Sequence, residues 1–417
     1  MIDAILLSGG KGTRSEDPNL AKSLQQLTPG VRVIDSIASS LGSVEVGRIV
    51  AVLGHFNKEQ TEVFSEVSWP AKCLFASSID MGTSHAVAVG LELTTADWVV
   101  VIAADSALCF DFSALLEFAE KTKSDIVVAA RFSNHPKDSD ALILGESSRI
   151  IGFRPKNQKP EGLVVSASGV VLVRRSILTG LSLEGDFQEN VLEMAKKQGH
   201  VATAWISRFY CRDTGTPERI EQSRASFASG HAQFRGTRNI GAVFIDRDGT
   251  LVPNQGDARK RVLENDLPDE IAHAFRAAND CGVPIFIATN QPGVAKGRIT
   301  TSDVEKTFSD IQFELSKSGA VFDDFRYCVH HPEKGWEGEL VHLKVDCNCR
   351  KPGGGMAYEL ASHHYIQLEK SWVIGDSDSD EGLAAAIRAN FVRVNRSEPT
   401  SVAQAILKAI GAIQDAG

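Results

Sequence analysis

The chain has no apolar run of the roughly 20 residues that a membrane-spanning helix needs. Its first residues, Met1-Ile-Asp-Ala-Ile-Leu-Leu, lack a basic stretch followed by a long apolar one, so no signal peptide is expected. Positive charge is not in excess: 44 Lys and Arg face 53 Asp and Glu, a net charge of −9. That argues against a general nucleic-acid or membrane-surface binder. A phosphorylated ligand would have to be held by local basic groups, helix N-termini and metal ions. A disulfide framework is missing as well. Seven cysteines cannot all pair, and Cys73, Cys109, Cys211 and Cys281 are scattered through apolar or strand-like stretches, as small buried residues of a reducing cytosol would be. A cytoplasmic protein with no nucleic-acid or membrane partner is expected, and nothing points to an oligomeric state.

What is present is the alternation of short β-branched runs with amphipathic helical stretches that marks α/β domains with mostly parallel sheets. At 417 residues, two or three domains are expected. One series of strands is predicted at 4–7, 48–53 and 98–103. A second is predicted at 242–245, 284–288 and 372–374, with a closing helix over 401–413. Between the series, 226–238 is rich in Ser, Gly, His and Arg and reads as a linker. The expected architecture is two Rossmann-like, doubly wound α/β domains, 1–230 and 240–417, with no internal sequence repeat.

In the second half, Ala242-Val-Phe-Ile-Asp246-Arg-Asp248-Gly-Thr is a hydrophobic strand ending in two aspartates. Parallel strands carry functional groups at their C-terminal edge. Two carboxylates that close repel unless a divalent cation offsets them. One can attack phosphorus to form an aspartyl phosphate. The other can give a proton to the leaving oxygen and then take one from water. Alone, an Asp-x-Asp is more often a turn or a calcium loop, but here three further elements follow in order. The strand at 284–288 delivers Thr289, Asn290 and Gln291, a hydroxyl and two amides suited to phosphate oxygens. Arg350-Lys351-Pro352 supplies cations. The strand at 372–374 leads to Asp376, with Asp380 four residues on, a second source of carboxylates for Mg²⁺.

These residues resemble the haloacid dehalogenase superfamily over nearly all of 241–395. Phe244-Ile-Asp-Arg-Asp-Gly-Thr, Thr289-Asn-Gln-Pro-Gly-Val-Ala-Lys-Gly and Cys349-Arg-Lys-Pro are most similar to its capless histidinol-phosphate and heptose-bisphosphate phosphatases. The resemblance implies Asp246 as nucleophile and Asp248 as general acid and base. It implies Mg²⁺ held by Asp246, Asp248 (through its carbonyl) and Asp376, and phosphate held by Thr289 and Lys351, with Asn290 and Arg350 beside them.

The other three cysteines cluster. Cys328-Val-His330 and Cys347-Asn-Cys349 offer three thiolates and one imidazole, the ligand set of a closed structural Zn²⁺ site. A long polar loop needs such a staple; a reduced, metal-free loop is the other reading. Because Cys349 precedes Arg350 and Lys351, zinc would also fix the phosphate-binding cations. His331 and His342 fall outside the pattern. The stretch Cys328-Val-His-His-Pro-Glu-Lys-Gly, with Gly338, Glu339 and Lys344, looks like the longer heptose-type loop, whereas 252–261 departs from the usual pattern of that group.

In the first half a strand runs into Ser8-Gly9-Gly10-Lys11-Gly12-Thr13-Arg14. A glycine-rich turn after a first strand exposes backbone N–H groups to phosphates, and Lys11 and Arg14 add charge. It is neither a Walker A loop, which ends in Gly-Lys-Ser/Thr, nor the dinucleotide G-x-G-x-x-G; a turn without a ligand is the other reading. Together with Lys22 it resembles the signature of sugar-1-phosphate nucleotidyltransferases, although Ala21 stands where that family has proline. Val52-Leu-Gly-His55, Met81-Gly-Thr-Ser-His-Ala86, Asp105 after its strand, Phe153-Arg-Pro-Lys156 and Asp213-Thr-Gly-Thr-Pro-Glu218 look like later elements of the same family. The resemblance implies that Gly9, Gly10, Gly12, Arg14, Lys22, Gly82 and Thr83 bind an NTP. It also implies that Asp105 and Asp213 hold Mg²⁺ and that Lys156 meets a sugar phosphate. Ala104, where the family has glycine, leaves open a non-catalytic domain.

A heptose 7-phosphatase would make heptose 1-phosphate and a nucleotidyltransferase of this kind would use it, so consecutive reactions would account for the fusion. Family analogy favours GTP, while the Gly82 segment looks more like enzymes that use UTP. The competing expectation is a phosphatase for histidinol phosphate or another small phosphomonoester, carrying a non-catalytic N-terminal binding domain.

Overall fold

The computed structural model describes residues 1–10, 20–54, 57–78, 82–395 and 397–416. The chain divides into two compact units. The first is Met1–Arg131, Asp140–Pro155 and Ser166–Gly236; the second is Phe132–Ser139, Lys156–Val165 and Thr237–Gly417. The stretch expected to be a linker is largely helical. The helix Pro217–Ala228 runs into it, started by a Thr216 hydroxyl that accepts from the Arg219 N–H, and His231–Gly236 forms another helix. Its polar composition hides Phe227 and Ala232, which are buried with Tyr210 and Leu27.

The first unit is built on a sheet whose parallel centre runs Lys72–Ser77, Val46–Leu53, Ile2–Ser8 and Trp98–Ala103. Val165–Arg174 adds antiparallel to Trp98–Ala103. The sheet continues through Ala141–Leu144 to Ile150–Arg154, with Ile126–Phe132 and Ala202–Ile206 on a side branch. Continuous apolar runs such as Val99-Val-Val-Ile102 are buried along their whole length, as strands covered on both faces must be. Beyond the sheet, Ser106–Cys109 pairs antiparallel with Tyr210–Asp213, which sets Asp213 opposite Ser106 and so beside Asp105.

The second unit has a five-stranded parallel sheet in the order Asp324–Cys328, Ile285–Asn290, Val243–Ile245, Trp372–Gly375, Asn390–Arg393. By chain position this is 3-2-1-4-5, the doubly wound arrangement. The order reverses between Val243–Ile245 and Trp372–Gly375, and ligands of such sheets bind at the carboxyl ends of the strands there. Helix Thr301–Ser316 begins with a reciprocal cap between Thr300 and Asp303, and helix Asp378–Ile387 with one between Ser377 and Asp380. Among the described residues no helix is long and apolar enough to cross a membrane.

Candidate functional site

Asp246 follows the central strand of the second unit at the reversal point, and its N–H donates to the Ile374 carbonyl at 2.9 Å. Its carboxylate is buried, and so is Lys351. The Lys351 ammonium donates to Asp246 Oδ1 and Asp380 Oδ1, both at 2.6 Å, and to the Ala288 carbonyl at 2.9 Å. Asp246, Asp376 and Asp380 each bring an oxygen within 4.8 Å of the others. Burial pushes the Asp246 carboxyl up to about 6, against the pull of Lys351, with Asp380 and Asp248 adding to the rise. Asp376 is raised too, by burial and then by Asp380. Three carboxylates around one ammonium leave uncompensated negative charge, and hard oxygen donors so arranged fit a divalent cation such as Mg²⁺. Gly249 lets the chain turn past this group. Its φ is +86°, and a Cβ there would strike the Asp376 carboxylate, so glycine is required on two counts.

The Asp248 carboxylate faces a different set of partners. It accepts from Arg247 Nε at 2.9 Å and from Gln291 Nε2 at 2.8 Å, with Arg259 Nε 3.4 Å away. Arg247 is itself held by Thr307 Oγ1 at 2.5 Å and Gln291 Oε1 at 2.7 Å. The structure therefore puts the side chain of Asp380, and not that of Asp248, among the clustered carboxylates. Gln291, read from the sequence as an amide for phosphate, is bonded to Asp248 and Arg247 instead; Arg247 and Arg259 are partners that sequence reasoning did not single out. Arg247 could have been suspected from its place between two aspartates, but nothing in 252–261 marks Arg259.

Thr289 is buried and its Oγ1 accepts from Gln291 Nε2 at 3.0 Å. Asn290 was expected on phosphate, but its amide is spent on the Lys351 backbone: Nδ2 donates to the Lys351 carbonyl at 3.0 Å, and Oδ1 accepts from the Lys351 N–H at 2.9 Å. It clamps the segment that delivers the ammonium. Arg350 Nη1 reaches the His330 carbonyl at 3.4 Å.

Cys328, His330, Cys347 and Cys349 come together as a compact group. Cys349 Sγ is 3.2 Å from Cys347 Sγ, 3.3 Å from Cys328 Sγ and 3.3 Å from His330 Nδ1; Cys328 Sγ is 3.6 Å from Cys347 Sγ and 3.7 Å from His330 Nδ1. These are edges of a small tetrahedron, and three sulfurs with one imidazole are the donors of a closed metal site. The loop between the pairs is irregular apart from the turn Val341–Leu343. It is also gripped at Trp336, whose ring lies 4.0 Å from Lys344 Nζ and 4.7 Å from Lys296 Nζ.

In the first unit, a cleft of about 380 Å³ lies at the ends of the central strands. It is lined by Gly9, Gly10, Lys22, Gly82, Thr83 and Asp105 of the expected nucleotide and metal residues, together with Ser8, Ser23, Val52, Gln60, Ser78 and Ala86. Lys22 Nζ donates to Asp105 Oδ2 at 3.1 Å. Thr214 holds the Asp105 carbonyl through its N–H and its hydroxyl, both at 2.8 Å. Asp213 Oδ1 accepts from the Gly215 N–H at 2.5 Å, and Oδ2 pairs with Arg219. Gly82 starts the helix Thr83–Leu91 at φ +92°, pressed against Gly185. Gly12 and Arg14 lie outside the described residues, and Lys156 falls in a stretch that clusters with the second unit.

Residues 4–182 match the MobA-like NTP transferase domain. The C-terminal part is similar to the D-glycero-beta-D-manno-heptose-1,7-bisphosphate 7-phosphatase of Rhodopseudomonas palustris, 41% identical over 145 residues, 35% of this chain and 78% of that protein. The enzyme of the same name from Escherichia coli K12 is 29% identical over 154 residues, 37% of this chain and 76% of that protein. Among solved structures, HddC from Yersinia pseudotuberculosis superposes with a TM-score of 0.46 at 19% identity, over 54% of this chain and 100% of that one.

Proposed function

Because the chain belongs, through its C-terminal part, to the family of the D-glycero-beta-D-manno-heptose-1,7-bisphosphate 7-phosphatases, we propose that it removes the 7-phosphate of a heptose 1,7-bisphosphate and then joins a nucleotidyl group to the heptose 1-phosphate that remains. The observation that carries this reading is the buried Asp246–Lys351–Asp380 cluster at the strand reversal, with Asp248 held by hydrogen bonds two residues from Asp246. The two reactions are assigned to two domains, 1–230 and 240–417.

In the first reaction an Asp246 oxygen attacks phosphorus, and the bond from phosphorus to the sugar oxygen breaks. Asp248 gives that oxygen its proton; Arg247 and Gln291 hold the carboxyl in place for the transfer. Asp248 then takes a proton from water as the water oxygen attacks the aspartyl phosphate, releasing inorganic phosphate and restoring Asp246. Lys351 and Thr289 flank the phosphate, with Asn290 fixing the Lys351 backbone and Arg350 adding charge. Mg²⁺ held by Asp246, Asp376 and the Asp248 carbonyl, with Asp380 beside them, would offset the charge of carboxylates and phosphate together.

In the second reaction an oxygen of the sugar phosphate attacks the α-phosphorus of an NTP, for which GTP is the first choice, and pyrophosphate leaves. The N–H groups of Gly9 and Gly10 and the Lys22 ammonium hold the triphosphate, and Thr83 and Gly82 border the nucleoside end. Asp105 and Asp213 would hold Mg²⁺, which supplies charge stabilisation at the departing pyrophosphate. Mass spectrometry of products from heptose 1,7-bisphosphate, Mg²⁺ and each NTP in turn tests the whole reading. A nucleotide-heptose product with one NTP is expected. Heptose 1-phosphate as the end product with every NTP would sink the second reaction, and an untouched bisphosphate would sink the first.

The cysteine group is assigned to a structural Zn²⁺. Cys347→Ser is expected to lower bound zinc from about one per chain to well below half, measured by elemental analysis after dialysis. Phosphatase turnover should fall with it, since Cys349 is covalently next to Arg350 and Lys351. Unchanged zinc content would refute the site.

A further inference from the structure

Gln60 lies on helix Asn57–Glu66 and is only 2% exposed. Its Nε2 donates to Ser8 Oγ at 2.6 Å and to Ser23 Oγ at 3.2 Å, and the two hydroxyls are 3.3 Å apart. Ser8 ends the strand that leads into Gly9 and Gly10, and Ser23 follows Lys22 in the turn Lys22–Leu24. One amide group thus ties together the backbone that offers N–H groups to phosphates and the lysine that pairs with Asp105. Among the described residues Gln60 Oε1 is buried without a hydrogen-bond partner, and Gln60 lines the same cleft as Ser78 and Thr83. Buried acceptors are nearly always satisfied, and one left over calls for an account. A donor brought by the ligand provides it.

We propose that Gln60 is a positioning and specificity residue for nucleotidyl transfer: its Nε2 ties Ser8, which precedes Gly9 and Gly10, to Ser23, which follows Lys22, and its Oε1 accepts a hydrogen bond from an N–H or O–H of the bound nucleoside triphosphate. The inference rests on the reading of this cleft as the nucleotide site. A neutral amide suits the place, because a carboxylate there would stand in the field of the triphosphate.

The test uses the full chain with Mg²⁺, calorimetric affinities, and Gln60→Leu, which keeps the bulk and loses both hydrogen-bonding groups. The four NTPs are titrated first. GTP is then compared with ITP, which lacks the 2-amino group of guanine, and with 2′-deoxy- and 3′-deoxy-GTP. The wild type is expected to bind one of these analogues about tenfold more weakly than GTP. ITP as the weak one assigns the donor to the base; a deoxy analogue assigns it to the ribose. In Gln60→Leu the affinity for GTP should fall about tenfold and the distinction between GTP and that analogue should vanish, while phosphate release from heptose bisphosphate is unchanged. A purely structural role would weaken all ligands alike and leave the analogue ratio intact, which would overturn the proposal, as would wild-type affinities in the variant. A wild type that binds none of the four NTPs would overturn the nucleotide reading along with it.

Discussion

Asp246→Asn is expected to abolish phosphate release from heptose 1,7-bisphosphate, by roughly 10⁴-fold or more on the scale seen when a catalytic nucleophile is removed, and to leave nucleotidyl transfer to added heptose 1-phosphate intact. The amide has the size of the carboxylate and can still accept from Lys351, whose ammonium also keeps Asp380 and the Ala288 carbonyl. The local packing therefore survives. What the proposed reaction loses is its oxygen nucleophile: an amide oxygen carries no charge to form a bond to phosphorus. The variant also removes a buried carboxylate that its surroundings push up to about 6, chiefly by burial, so a gross loss of stability is not expected from the exchange. Phosphate release and nucleotide-sugar formation are followed separately on the same preparation. Retained phosphatase turnover would remove Asp246 from the role of nucleophile. Loss of both activities would mean that the two reactions are not independent.

The parts of this protein that were legible in its sequence are those that a chain pattern encodes directly. Apolar runs such as Val243-Phe-Ile and Trp372-Val-Ile predicted parallel strands, and the acidic residues that follow them had to lie at one sheet edge. The cysteine and histidine pairs were legible because metal-ligand spacing is short-range. Side-chain direction was not. Two aspartates one residue apart leave the strand end in different directions, and only the packing of Arg247 against Thr307 and Gln291 turns Asp248 from the Asp246, Asp376 and Asp380 carboxylates. Asn290 looked like a phosphate ligand because its amide could serve, but the same amide suits the Lys351 backbone equally well. Gln60 was invisible because Asn57-Lys-Glu-Gln-Thr-Glu reads as an exposed helix face, and its burial depends on Ser8 and Ser23 from other parts of the chain. Nor does chain continuity reveal that 132–139 and 156–165 cluster with the second unit, where Gln312 holds the Ser133 carbonyl and both backbone groups of Val164.

The complementary variant is Asp105→Asn, for which nucleotidyl transfer should drop by roughly 10³-fold, the equivalent of several kcal/mol of metal-borne charge stabilisation. Asp105 sits at the meeting point of the cleft and the ribbon that carries Asp213. Its carbonyl is fixed by Thr214 and its carboxylate by Lys22. Asparagine keeps the size of the side chain and an acceptor for Lys22, so the cleft retains its shape. It withdraws the negative charge that, with Asp213, would hold Mg²⁺ against the triphosphate. Phosphatase turnover should be unaffected, and heptose 1-phosphate should accumulate from the bisphosphate in the presence of NTP. Mixed in equal amounts, Asp246→Asn and Asp105→Asn should together restore the nucleotide sugar, because each supplies the reaction the other lacks and the intermediate is a free sugar phosphate. Transfer at the wild-type rate in Asp105→Asn would place the metal elsewhere. A mixture that stays silent, while each variant keeps its own single activity, would show that the intermediate does not pass through solution between chains.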